Sequence, residues 1–307
     1  MTSPQISAAE LGRWRAPVGA AVITVGQVDT AKGFLGSELW SGVRRWCIDP
    51  DEDDTWVEGG ATFNGHVVGS SWGTPVTFRA ESLLPGFGER WAMGAHGSAA
   101  CWVADRENHQ LFAYPDFFGG CSLFIAELPG GTALSTSLRQ LELFAQAVGT
   151  PLARSAEFQA ERIMLGNGGL WPTSFTHVRR LDHMSFVRIS GTQVSELAYR
   201  AGDQMLQSSA SIEEILSAIQ ADIRANVRAI AAAAAEHRVG HLTGGFDSRL
   251  VLSAILSEGL QDRFLFFTSG AVGATDRIIA DGLARTYHLT RTADAGLSPA
   301  PARNVRD

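Results

Sequence analysis

The stretch Val239-Gly240-His241-Leu242-Thr243-Gly244-Gly245-Phe246-Asp247-Ser248-Arg249 decides how the C-terminal part of this chain is read. A short apolar run leads into a Thr-Gly-Gly turn, and the turn opens a helix. Two glycines let the backbone approach a ligand closely and turn its N–H groups inward. The helix start aims a positive dipole end at the same place. Thr243 and Ser248 add hydroxyl groups around the turn. Asp247, an acid in an anion-attracting loop, fits a cation that accompanies the anion, and Mg²⁺ favours carboxylate and phosphate oxygens. The local expectation is a phosphate or pyrophosphate site with magnesium held by Asp247. An ordinary strand–turn–helix connection with an Asp cap would explain the glycines but not all four features in register.

Downstream, the FDSRLVLSAILSEGL segment reads as a helix ending near Gly259, FLFFTSG as a second buried strand, and TDRIIADGLARTYH as a second helix. LTRT could open a third strand. Buried strands alternating with helices of this length predict βαβ units and a parallel sheet. Upstream, residues 211–236 predict a long helix. Ser211 and Glu214 form a capping-box pattern. Ile212, Ile215, Leu216, Ile219, Ile223 and Val227 fall on one apolar face. SLRQLELFAQAVG, with Leu138, Leu141, Leu143 and Phe144, predicts a helix stopped by Gly149, and Ala156–Leu165 another.

Residues 17 to about 150 follow a different pattern of short strands and turns. PVGAAVITVG is apolar and β-branched, and an acidic turn at 49–54 reads as a solvated loop. CWVADRENHQLFAYPDFFGGCSLFIAEL reads as strand, polar turn, strand, Gly-Gly turn and strand, the grammar of an antiparallel system. The boundary between the two patterns falls between about 195 and 210.

The chain has 307 residues, 45% hydrophobic and 19% charged, enough for two domains with a sizeable core. Its net charge of −7 argues against a general nucleic-acid partner. Cys47, Cys101 and Cys121 make an odd number with no CxxC pair, so neither a disulfide framework nor a cysteine-rich zinc site is expected. With no apolar run near ~18 residues and no secretory signal pattern, neither a membrane partner nor export is expected, and the cytoplasm is the expected location. Lys32 is the only lysine among 25 basic residues, which excludes a Walker-type phosphate loop.

LTGGFDSR resembles the SGGxDS pyrophosphate loop of the N-type ATP pyrophosphatases. It is most similar to the asparagine synthetase-like group, which includes β-lactam synthetases and lasso-peptide cyclases. FTSGAVGATDRIIADGLARTYH resembles that family's strand, glycine-rich connection and following helix, with Asp276 and His288 on matching positions. TSFTHVRRLDHMSFVRI resembles its inter-domain segment, and CWVADRENHQLFAYPDFFGGCSLF resembles a strand pair of its glutaminase-like half. The resemblance spans about 95 to 290.

It implies a mixed α/β and α+β chain. Residues 1–200 would form a degenerate glutaminase-like (Ntn-type) domain of antiparallel sheet and helix layers. Residues 201–307 would form the first part of a parallel-sheet, adenine-nucleotide α-hydrolase-like domain, truncated. It implies ATP and Mg²⁺, with Thr243, Gly244, Gly245, Asp247 and Ser248 holding pyrophosphate and magnesium. Leu242, Phe267, Thr268 and Ser269 would border the adenosine. Arg249 and Phe246 take variable positions, and Asp276 is read as a helix-start residue rather than a direct ligand.

Two departures qualify the resemblance. The family's glutaminase half uses a cysteine directly after the initiator Met, whereas this chain begins Met1-Thr2-Ser3. Thr2 is a poor substitute, the three cysteines read as small core residues, and Asn64-Gly65 only weakly echoes an oxyanion-hole pair. No glutamine hydrolysis is expected. The catalytic lysine of the synthetase half is also missing, because none follows Lys32. The expected partners are a small-molecule or peptide carboxylate, with a precursor peptide or a complementing chain. Three readings stay open: an ATP-dependent amide-forming ligase in peptide or natural-product biosynthesis, a truncated non-catalytic scaffold, and another pyrophosphatase-loop enzyme acting on tRNA or NAD.

Overall fold

The computed structural model describes residues 21–27, 35–47, 54–69, 78–166, 173–200, 209–233, 238–271 and 273–291. Lys32, most of the acidic turn, the Cys47 side chain and the tail beyond 291 lie outside them, as do Thr2 and Pro17. The chain divides into two compact units, residues 1–64 with 68–208, and residues 65–67 with 209–307.

In the first unit, alternation along each strand decides what is buried. One six-stranded sheet contains β1 (Val22–Gly26), β2 (Leu35–Trp40), β3 (Val43–Cys47), β8 (Phe124–Leu128), β9 (Gly131–Ser135) and β10 (Val178–Arg180), in the order β10-β8-β9-β1-β3-β2. The other contains β4 (Thr55–Phe63), β5 (His66–Val68), β6 (His96–Asp105), β7 (Gln110–Pro115), β11 (Ser185–Ser190) and β12 (Gln193–Ala198), in the order β12-β11-β7-β6-β4-β5. Adjacent strands pair antiparallel, for example Val22 with Trp46 and Trp102 with Trp56.

The two sheets face each other. Ile23, Val25, Val43 and Leu134 of the first meet Trp56, Trp102, Leu111 and Val187 of the second in one core. The outer face of the second sheet presents Val57, Phe63, Cys101 and Tyr114 to Phe87 and Trp91 of α2 (Phe87–Gly94), which follows the short α1 (Arg79–Ser82). The outer face of the first presents Val22, Trp46 and Ala133 to Leu141 and Phe144 of α3 (Leu138–Ala147). The result is four layers, helix–sheet–sheet–helix. The antiparallel sheets expected from the strand grammar are present, as are the helix layers implied by the resemblance, with α4 (Ala156–Leu165) at the bounds read from the sequence. Asn64 and Gly65 turn β4 into β5 with φ of 51° and 77°, the left-handed pair of a tight hairpin. That backbone demand by itself accounts for the Asn-Gly pair.

In the second unit, α5 (Ile212–Ala232) begins with the expected capping box: Ser211 Oγ accepts from Glu214 N, and Glu214 Oε2 accepts from Ser211 N (2.8 Å). Its apolar face is only half used. Val227 is buried and Ile223 packs on the core, whereas Ile212 and Leu216 are more than half exposed. β13 (Val239–His241) and β14 (Leu265–Phe267) pair parallel, His241 beside Phe267, and Phe266 bridges in parallel to Arg291 where a third strand was expected to open. Helices α6 (Phe246–Ser257) and α7 (Thr275–Thr286) follow the two strands. Leu242, Leu252, Ile255, Phe266 and Ala280 form their shared core.

Candidate functional site

The Thr-Gly-Gly turn sits at the C-terminal end of β13, where an α/β unit places its ligand. Four local bonds set its shape. Thr243 N donates to Ser248 Oγ at 3.1 Å, and the Thr243 and Ser248 hydroxyls lie 3.0 Å apart. Gly245 N donates to Thr243 Oγ1 at 3.0 Å. Gly244 N donates to Asp276 Oδ1 at 3.0 Å. The last bond ties the first turn of α7 to the loop that opens α6, so two helix starts lie side by side at the strand ends. Neither helix has a side-chain cap: Gly245 and Ala274 take the cap positions without one. The N–H groups of Phe246 and Asp247 opening α6, and of Thr275 and Asp276 opening α7, have no hydrogen-bond partner among the described residues and can meet an anion, whereas Arg277 N donates to Ala274 O.

Gly244 has a second reason to be glycine. A Cβ there would come within 2.7 Å of Ile279 Cδ1 and 2.8 Å of Asp276 Oδ1. A side chain at Gly244 would have to push the ends of the Ile279 and Asp276 side chains aside, and with them the bond that ties α7 to the loop. By sequence Asp276 is a helix-start residue. It is one, and its carboxylate also closes the loop from 32 residues away. No local signal could have shown that.

Asp247 lies exposed in the first turn of α6 without a hydrogen-bond partner among the described residues. No group of three or more His, Cys, Asp or Glu side chains is gathered for a metal among the described residues. The donor set fits a hard cation only when phosphate oxygens and water complete its shell, which is how Mg²⁺ is usually held. Arg249 donates from Nε to Gly245 O (3.2 Å), and Arg277 from Nη1 to Gly270 O (3.1 Å). Both place positive charge in the first turns of the helices.

The residues expected to border adenosine divide into two sets. Leu242 is fully buried in the core, and Thr268 is 5% exposed. Thr268 Oγ1 donates to Leu242 O (2.8 Å) and accepts from Arg291 Nη2 (3.1 Å), while Arg291 pairs with Asp281. These two side chains clamp the strand ends together and face inward, so only their backbone could meet a ligand. Phe267 and Ser269 are outside that clamp. The Phe267 ring stacks on His241 at 4.6 Å and 21°, and His241 Nε2 lies 3.0 Å from Ser269 Oγ. His241 was not singled out from sequence. Its signal was its position as the last residue of one parallel strand opposite an aromatic in the next. His288 follows α7 with φ of 53°, a chain-reversal position.

The first unit offers no activated thiol among the described residues. Cys101 is fully buried under α2, and burial pushes its thiol far up. Cys121 is pushed up to about 12 by burial, with the negative charges of Glu58 and Asp116 adding to it. Ala21, just before β1, carries no nucleophile, and its N–H donates to Glu58 Oε1 at 2.9 Å. Glu58 also accepts from Trp56 Nε1 (3.1 Å) and from the Thr136 hydroxyl.

No protein-family model and no curated protein matches the sequence. Among solved structures, the chain is similar to the glutamine phosphoribosylpyrophosphate amidotransferase of B. subtilis in complex with ADP and GMP, at 9% identity and a TM-score of 0.31. The overlap covers 89% of this chain and 59% of that one. Similarity at that level carries no weight for fold or activity. Among the described residues no helix is long and apolar enough to cross a membrane.

Proposed function

We propose that this chain is an ATP-dependent, amide-forming ligase of the asparagine synthetase-like type, without glutaminase activity, serving peptide or natural-product biosynthesis. The carrying observation is the pair of uncapped helix starts at the ends of two parallel strands, joined by the Gly244–Asp276 bond, with the Thr243–Ser248 hydroxyl pair in the loop that opens α6. In this reading the N–H groups opening α6 hold the phosphates, and Asp247 faces the magnesium that accompanies them. His241 and Phe267 offer a flat surface to the base. A substrate carboxylate would displace pyrophosphate, and an amine would then displace AMP to leave an amide. Arg249 and Arg277 are the cations this chain places nearest the loop. The first unit, with its helix–sheet–sheet–helix layers, is read as the Ntn-type scaffold, and the raised thiols of Cys101 and Cys121 support the absence of glutamine hydrolysis.

One observation favours a second reading, a non-catalytic scaffold. The N–H groups of Thr243, Gly244 and Gly245 already have partners in Ser248, Asp276 and Thr243. Isotope exchange between pyrophosphate and ATP, driven by candidate peptide carboxylates, separates the two. The ligase reading expects exchange that Asp247→Ala abolishes. Exchange with no carboxylate tried, or exchange indifferent to Asp247→Ala, would sink it, and glutamate release from glutamine would overturn the nitrogen-source part.

A further inference from the structure

A groove of about 420 Å³ opens in the first unit between the last turn of α4 and strand β10. Arg162 and Arg180 both line it, and neither guanidinium has an ion pair or hydrogen bond among the described residues. No Asp or Glu lines it among the described residues, while Ser122 and Ser174 do. Phe124 and Phe158 give it an apolar wall. Arg180 also borders the narrow neighbouring cleft that contains Asp116 and Asp182, and neither pairs with it among the described residues. The Asp116 oxygens, however, already accept the N–H groups of Gly120 (2.9 Å) and Cys121 (2.5 Å). Two guanidinium groups sharing a concavity without a carboxylate repel one another and draw in an anion. Their planar forks suit a carboxylate or a phosphate, which two lysines would hold only as point charges.

We infer that this groove binds an organic anion, a phosphate monoester or carboxylate joined to an aromatic or aliphatic body. Arg162 and Arg180 grip the charged head, the two serine hydroxyls share its remaining oxygens, and the body lies on Phe124 and Phe158. The site lies wholly within the first unit, and its residues include none of the Thr-Gly-Gly loop.

Isothermal titration of the full chain in low-salt buffer, without nucleotide, tests it with phenyl phosphate, 3-phenylpropionate and inorganic phosphate. One of the two phenyl probes should bind about tenfold or more tightly than inorganic phosphate, and the tighter one names the head group. Arg162→Gln and Arg180→Gln should each weaken that binding by about tenfold, the loss expected for one charge-assisted contact. Arg188→Gln, on the exposed side of β11, should leave it unchanged. Both groove arginines are exposed, so the substitutions spare the core, and unchanged melting curves would verify this. Equal binding of inorganic phosphate and both phenyl probes overturns the assignment. So does a loss in the groove variants no larger than in Arg188→Gln.

Discussion

Removing the Glu58 side chain should nearly unfold the first unit, whereas removing only its charge should not. Glu58 is 2% exposed, between the two sheets. Its oxygens accept from Ala21 N–H, the Trp56 indole and the Thr136 hydroxyl, and Arg45, stacked 3.9 Å over the Trp56 ring, faces it electrostatically. Burial raises its carboxyl above the ordinary value of 4.5, outweighing the lowering by those three hydrogen bonds and Arg45. Glu58→Ala leaves two buried donors, Ala21 N–H and the Trp56 indole, without an acceptor at about 1–3 kcal/mol each, frees the half-buried Thr136 hydroxyl to turn to solvent, and opens a cavity costing about 2 kcal/mol. The total, roughly 4–8 kcal/mol, approaches the whole stability of an ordinary domain. Glu58→Gln keeps an oxygen for Ala21 and Trp56, and Thr136 can reverse its hydroxyl toward the amide. That variant should stay within about 1 kcal/mol of the parent at pH 7.

The pH dependence has a definite sign. With the folded value raised, the folded state holds a proton that the unfolded state has released. Relative to Glu58→Gln, the parent therefore loses stability as pH rises above about 4.5, by at most about 1.4 kcal/mol per pH unit, until Glu58 ionises in the folded state. All 8 tryptophans precede Ser209, so urea unfolding followed by tryptophan emission reports the first unit alone. Glu58→Ala within 1 kcal/mol of the parent, or a parent-minus-Gln difference that grows with pH, would refute the reasoning.

Two further outcomes follow from single contacts in the second unit. Thr268→Val keeps the shape of the clamp but leaves Leu242 O without its hydroxyl donor and Arg291 Nη2 without this acceptor, with Asp281 still paired to the guanidinium. It should cost about 2 kcal/mol, seen by far-UV circular dichroism melting and faster amide exchange at Leu242 and Phe266; a change under about 0.5 kcal/mol would count against the clamp. Ser211→Ala should cost about 1 kcal/mol and fray the first turn of α5. The N–H and hydroxyl of Ser211 lower the Glu214 carboxyl, so the reciprocal half of the cap persists at neutral pH and is lost as pH falls through that lowered value. Amide exchange across residues 212–215, compared with the middle of the helix, reads both effects.

The sequence was most legible where the determinants are local. The α5 capping box needs only residues three apart, and the helix bounds of α4 needed only a serine before and a glycine after. The strand–turn–helix at Val239–His241 and α6 followed from apolar runs and glycines. Alternation along β4, β6 and β7 determined which side chains share a face. It did not show that both faces would be covered, and so it could not place Glu58 between two sheets. Helical period grouped Ile212, Ile215, Leu216 and Ile219, yet it carries no information about what packs there, and the structure leaves all four exposed.

For the candidate site, the sequence by itself determined the chemistry of the loop: glycines where backbone must be bare, hydroxyls beside them and one acid at the helix start. Only the tertiary structure decided which groups converge there. It brought Asp276 onto Gly244, paired His241 with Phe267 and Ser269, and turned Leu242 and Thr268 inward. The physical reason is range. Backbone preference and capping act within a few residues, whereas these contacts join positions 26 to 32 apart and exist only once two parallel strands lie side by side.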